Sequence, residues 1–195
     1  MRKADIAAEL GKPERAVGLT EAALRDWNGI APRVRALALR VRGRAYAQLG
    51  NSGECARALD AAQEEAARPV DGPDDLTAYC DLSYIGMEAA NCWKTLGRFD
   101  TAIATYSRSL ENWPGSLRRD QGLCLSRLTS ALAGREDIER ACDVGRQAVE
   151  VVRSATSGRA LTELQRVQVQ LAPWRRREGV SELSGRIRGL IQPAA

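Results

Sequence analysis

The stretch "LGRFDTAIATYSRSLENWP", residues 96–114, decides how the rest of the chain is read. A glycine-containing turn opens it, Ala102 and Tyr106 follow four residues apart, and Pro114 closes it. Its apolar residues fall at helical spacing, so the stretch predicts one amphipathic helix with marked ends. The same phase recurs along the chain. With the alanine as anchor, "GKPERAVGLTEAAL" puts Ala16 and Thr20 in register, "GNSGECARALDAAQ" puts Cys55 and Leu59 there, and "REDIERACDVGRQAV" puts Ala141 and Gly145 there. The four anchors are 39, 47 and 39 residues apart. Each follows a tight turn that itself follows another amphipathic helix, and such self-similarity at a period of tens of residues signals an array of helix pairs.

The remainder of the chain fits that frame. Turn signals fall at "LGKPE" (10–14), "LGNSGE" (49–54), "RPVDGPDD" (68–75), "LGRFD" (96–100), "NWPGS" (112–116), "AGRED" (133–137), "SATSG" (154–158) and "APWRRREG" (172–179). Between them the spacing predicts about ten helices and no strand, so the fold class is all-α. Proline and glycine sit at helix ends. Asp74 or Asp75 is the expected cap of the helix entering "LTAYCDLSYIGMEAANCWKTL", and Ser181 that of the last helix.

These residues resemble the tetratricopeptide repeat (TPR), whose first helix carries Trp-x2-Leu-Gly-x2-Tyr, whose second carries Ala-x3-Phe, and which a proline closes. Gly43 and Tyr46 of "GRAY", Ala90 and Trp93 of "ANCW", and Leu128 and Leu132 of "LTSAL" occupy the first-helix places. Ala102, Tyr106 and Pro114 complete the third copy. The spacings exceed the family's usual 34, and the first and fourth copies lack most aromatics, so the array is degenerate. The resemblance implies a TPR-like α-solenoid of antiparallel helix pairs wound in a right-handed superhelix. Residues 1–155 would hold about four pairs, the first truncated, and residues 156–195 would form capping helices with a basic tail.

Composition narrows the function classes. The chain has 195 residues, 44% hydrophobic and 28% charged, with a net charge of +4 and mean hydropathy −0.34. No apolar run approaches the roughly 18–20 residues needed to cross a bilayer, and "MRKADIAAELGK" lacks a signal peptide's apolar stretch. A cytoplasmic location without membrane contact is expected. The five cysteines (Cys55, Cys80, Cys92, Cys124 and Cys142) form no Cys-x-x-Cys pair and read as reduced thiols buried among alanines. Histidine is absent, which removes His-based metal sites and the Ser-His and Cys-His nucleophile pairs. No phosphate-cradling loop or nucleophile elbow is present, so the expectation is no enzyme, no cofactor and no metal. Trp27, Trp93, Trp113 and Trp174 read as packing residues. Residues 153–195 carry eight arginines against three glutamates, and "WRRR" (174–177) reads as solvated surface rather than a nucleic-acid platform.

The texture of "LGRFDTAIATYSRSLENWP", "RRDQGLCLSRLTSAL", "ERACDVGRQAVEVVRSATSGRAL" and "QLAPWRR…VSELSGRIRGLI" is also similar to the C-terminal arrays of bacterial helix-turn-helix regulators of the xenobiotic-response-element class. That resemblance implies a ligand-sensing or dimerising half, with nucleic acid reached only through a helix-turn-helix module absent from these residues. "MRKADIAAEL" is short for a first helix, as if a segment precedes it. The competing reading is a freestanding TPR adaptor that binds a protein and has no role in transcription.

TPR ligands lie against the first helices of the pairs. Stepping by three and four from the packing residues, the free faces present Leu37, Arg40, Arg44 and Ala47, then Tyr84, Met87, Asn91 and Lys94 with Glu88 beside them, then Leu123, Ser126, Ser130 and Arg127. The expected groove has a cationic end, an aromatic–methionine middle and a hydroxyl-bearing end. An extended peptide or protein segment suits it, guanidinium meeting carboxylate or carbonyl.

Overall fold

The computed structural model describes residues 2–69, 77 and 79–191. Among them are ten α-helices: α1 (Arg2–Glu9), α2 (Pro13–Ala23), α3 (Pro32–Gln48), α4 (Ser52–Ala66), α5 (Leu82–Thr95), α6 (Phe99–Glu111), α7 (Arg118–Gly134), α8 (Ile138–Ser154), α9 (Gly158–Leu171) and α10 (Glu178–Ile191). Short 3-10 turns occur at Trp27–Gly29 and Ala172–Trp174, and no strand occurs among the described residues. The chain divides into two units, residues 1–98 with α1–α5 and residues 99–195 with α6–α10.

The turns explain the recurrence found in the sequence. Gly11, Gly50 and Gly97 adopt left-handed φ of 67°, 72° and 73°, and Glu136 adopts 63°. Each of these four residues lies five positions before its anchor: Ala16, Cys55, Ala102 and Ala141. The hydrogen bonds are equivalent too. At Gly50 the glycine N–H donates to Ala47 O at 3.1 Å and the next N–H, of Asn51, reaches back to Tyr46 O at 2.9 Å. At Glu136 the same pair runs to Ala133 O and Leu132 O, both at 3.0 Å. This is the Schellman ending, which satisfies the last carbonyls of a helix and turns the chain back. A Cβ at Gly11, Gly50 or Gly97 would meet nothing within 4 Å, so glycine is required there by φ alone.

Packing follows from the phase the turns set. All four anchors are fully buried, and Thr20, Leu59, Tyr106 and Gly145, each four residues further on, are buried as well. In unit 1, α1 lies against α2, α3 against α4, and α1, α3 and α5 are neighbours; α2 also meets α3, and α4 meets α5. Gly43 lets α3 and α4 approach closely: a Cβ there would come within 2.9 Å of Leu59 Cδ2. In unit 2, α7 lies against α6, α8 and α9, and α8 against α10. Gly145 stands where the TPR pattern wants a bulky residue, and Leu183 of α10 fills the space, 2.6 Å from where a Cβ would sit. At about 25 cal/mol per Å2 of apolar area, interlocking of this kind supplies most of the favourable energy of a helical hairpin array.

Two expected caps change. Asp74 and Asp75 lie outside the described residues; α5 starts later, at Leu82, where Asp81 Oδ1 accepts the Tyr84 N–H at 2.8 Å. Asp81 is extended at ψ −178°, the conformation an N-cap needs. Ser181 is not a cap, since α10 begins at Glu178 and the Ser181 N–H already donates to Arg177 O at 3.0 Å. All five cysteines are buried, as their alanine-rich surroundings predict.

Because Glu136 carries a side chain at a left-handed φ, Glu136→Gly is expected to stabilise the chain by about 0.5–1 kcal/mol. Gly50→Ala is expected to cost about 1 kcal/mol, although space is open around it. Urea unfolding midpoints of the two variants against wild type check both signs.

Candidate functional site

The first helices of unit 1 are joined by charge. On α3, Arg40, Arg44 and Gln48 follow at intervals of four and so share one face. On α1, Asp5 and Glu9 do the same. The two rows mesh. Arg40 grips Asp5 with both terminal nitrogens, Nη1 to Oδ1 at 3.2 Å and Nη2 to Oδ2 at 2.9 Å. Arg44 Nη1 lies 3.9 Å from Asp5 Oδ1 and 3.8 Å from Glu9 Oε1, and Gln48 Nε2 donates to Ala8 O at 2.9 Å. From the other side α5 contributes Glu88, whose Oε2 is 3.4 Å from Arg40 Nη1, and the Tyr84 ring, whose centroid is 5.9 Å from the guanidinium. Arg40 is 6% exposed and Glu88 3%.

Burial on its own disfavours the charged form of Arg40, but Glu88, Tyr84 and Asp5 outweigh it and hold the pKa above the ordinary arginine value. A buried guanidinium is tolerable only when paired in this way. Its Nε is buried and without a hydrogen-bond partner, so pairing is strong at one end of the group and missing at the other.

A second buried arginine closes the far end of α3. Arg35 donates Nε to Glu65 Oε2 of α4 at 2.7 Å and Nη1 to Ile30 O and Trp27 O at 2.6 and 3.1 Å. Its guanidinium also stacks 4.9 Å from the centre of the Trp27 ring. One side chain thus ties α3 to α4 and to the segment entering α3.

The structure withdraws most of the expected groove residues from solvent. In unit 1, Arg40, Tyr84, Met87 and Glu88 are buried, Met87 completely, and Leu37 and Ala47 are buried with them. Arg44, Asn91 and Lys94 keep partial exposure. In unit 2, Leu123, Ser126 and Ser130 are buried while Arg127 is half-buried. Ser126 Oγ donates to its own helix at Gly122 O, 2.7 Å away, and Ser130 Oγ to Gln170 Oε1 of α9 at 3.0 Å. The stepping rule places these residues on the face away from the hairpin partner, but that face meets the first helix of the next pair. Arg40 therefore finds carboxylates inside the chain, in Asp5 and Glu88. Sequence reasoning misses Asp5 and Glu9, although their spacing of four matches that of Arg40 and Arg44.

Among the described residues of unit 2, surface cavities lie away from those side chains. One, of about 550 Å3, is lined by Asp100, Ile103 and Ser107 of α6 with Arg135 and Arg140, and the Arg135–Asp100 ion pair at 2.7 Å spans it. Another, of about 240 Å3, lies between α8 and α10 over Ile138, Cys142 and Val180, with Arg146 and Arg177 beside it. Among the described residues no group of three or more histidines, cysteines or carboxylates is placed to hold a metal ion, and no helix is long and apolar enough to cross a membrane. Arg175, Arg176 and Arg177 are exposed.

Removing Arg40 takes away the buried positive charge that faces Glu88 and Asp5, so Arg40→Ala is expected to cost about 3 kcal/mol. Arg44→Ala, whose pairs are longer and partly solvated, is expected to cost under about 1 kcal/mol. Chemical denaturation of the two variants side by side tests the contrast.

No family model matches the chain, and no curated protein matches it. Solved structures do. The chain is similar to the Podosopora anserina kinesin light chain with nearly identical TPR-like repeats, at 16% identity and a TM-score of 0.64, covering 99% of this chain and 95% of that one. A point variant of that protein gives a TM-score of 0.65 at 16% identity, over 97% and 91% of the two chains. BtubC (BKLC) from P. vanneervenii matches with a TM-score of 0.64 at 16% identity, over 97% of this chain and 75% of its own. At this identity the likeness is one of fold: the chain is an all-α array of TPR-like helical repeats.

Proposed function

We propose that the chain is a non-enzymatic scaffold that binds a peptide or protein, and that it serves as the sensor or dimerisation part of a bacterial helix-turn-helix transcription regulator. The observation that carries the binding reading is the placement of α1, α3 and α5 as neighbouring first helices in unit 1, with Glu9, Arg44, Asn91 and Lys94 at least partly exposed upon them. TPR-like folds recognise partners through such faces. Of the residues first expected to bind, Arg44, Asn91, Lys94 and, in unit 2, Arg127 retain the surface to do so; Arg40, Tyr84, Met87, Glu88, Leu123 and Ser126 support them from beneath.

The regulatory part of the reading draws on the similarity of four stretches to regulator arrays, and residues 156–195 take the role of cap. Regulation would act through population shift: a partner that binds one arrangement of the helix pairs better draws the ensemble toward it. DNA is then contacted by a partner module, not by this chain, and the work is done in the cytoplasm without a cofactor.

Native mass spectrometry of the chain as purified is expected to show a retained peptide-sized mass or a dimer. Arg44→Ala with Lys94→Ala is expected to lower that bound fraction about tenfold while shifting Tm only slightly. A bare monomer under every condition would remove the sensor reading. If no in-frame helix-turn-helix segment is encoded beside Met1, the freestanding adaptor replaces the regulator.

A further inference from the structure

The motif "WRRR" (174–177) has no part in the reading above, and unit 2 sets it beside a cavity. The 3-10 turn at Ala172–Trp174 leads the chain into α10, and backbone hydrogen bonds fix the arginines on the way. Arg175 N–H donates to Ala172 O at 3.2 Å and Arg177 N–H to Trp174 O at 2.9 Å, while Arg177 O accepts the Val180 and Ser181 N–H groups at 3.1 and 3.0 Å. All three arginine side chains are exposed, and among the described residues none of them enters an ion pair. Their neighbours differ. Arg146 is bound to Asp143 and lies 3.6 Å from Glu182 Oε2, and Arg186 is held by Glu182 and Glu150 at 2.9 and 3.2 Å. The cavity between α8 and α10 is lined by Ile138, Cys142 and Val180, with Arg146, Arg177, Glu139 and Asp143 around them. Burial pushes the Cys142 thiol up, so it stays protonated and adds no charge to this lining. At about 240 Å3 the cavity is smaller than the roughly 300 Å3 at which pockets for whole small molecules begin, and it suits one aliphatic side chain.

We propose that this notch docks an acidic peptide segment of a partner protein, one aliphatic side chain entering the cavity and the carboxylates beside it meeting Arg175, Arg176 and Arg177. Charge complementarity names the occupant. Arg146 and Arg186 have carboxylates from their own chain, whereas three successive guanidinium groups next to the cavity are left for carboxylates from outside. The apolar lining asks for a hydrocarbon anchor at the same place, and a peptide carries both features within a few residues. A nucleic-acid strand fits less well. It brings a phosphate at every nucleotide, while Glu139, Asp143 and Glu178 stand among the arginines, and the half-buried Trp174 offers bases no open platform. The site lies on the second helices of unit 2 and uses none of the unit 1 face proposed above.

The probe is a fluorescein-labelled peptide with one leucine between glutamate and aspartate residues, titrated with the full chain and read by fluorescence anisotropy. Saturable binding that weakens as salt rises is expected. Arg175→Ala with Arg177→Ala, both at exposed positions, should weaken it about tenfold. A Cβ at Gly179 would meet Cys142 Cβ and Sγ at 3.6 Å, an ordinary contact, so Gly179→Val fills the cavity with every charge in place and should weaken binding by a similar factor. Exchanging the leucine of the peptide for glycine should do the same with the wild-type chain, which decides the role of the cavity even if Gly179→Val fails to fold. The proposal is overturned if the peptide does not bind, if the arginine variant or the leucine exchange leaves its affinity unchanged, or if an oligothymidylate of equal charge binds more tightly than the peptide.

Discussion

A left-handed residue placed five positions before a small, fully buried one is the constraint on which the rest of this structure depends. The turn residue satisfies the end of one helix and returns the chain at a fixed angle; the small residue then lets the returning helix lie close to its partner. Gly11, Gly50, Gly97 and Glu136 supply the turn, and Ala16, Cys55, Ala102 and Ala141 supply the approach. Once that pair of conditions is met, the residue four places on must face the neighbouring helices, which is why Thr20, Leu59, Tyr106 and Gly145 are all buried despite their different chemistry.

Small-residue packing brings helices together but discriminates little among alternatives, since one alanine face resembles another. The buried arginines add direction. Arg40 requires a carboxylate from α1 and another from α5, and Arg35 requires Glu65 together with two backbone carbonyls near Trp27. A helix pair slipped by one turn would leave these guanidinium groups unpaired in the interior, at a cost of several kcal/mol. In this chain the arginines act as register keys, and the partly exposed Arg44 marks the point where the same row of side chains reaches the surface.

Much of the scaffold is legible because it is written in local signals. Helix ends are marked by glycine and proline within a few residues of where the helices stop, and a phase common to four segments survives the loss of most aromatics from the first and fourth. The candidate site is less legible. The spacing rule identifies the face of α3 that carries Arg40 and Arg44, yet it has no means of showing that α1 and α5 lie against that face. Asp5 and Glu88 are 35 and 48 residues from Arg40 in sequence, and no local pattern joins them.

The sequence by itself therefore determined the helical class, the hairpin turns and the phase of burial along each helix, because each depends on residues within about a turn or two of one another. Only the tertiary structure decided which polar side chains are taken into the interior and which remain at the surface. That allocation is set by the side-by-side packing of first helices, whose contacting residues are brought together across whole helix pairs, and burial of charge there is governed by pairing rather than by the residue type alone.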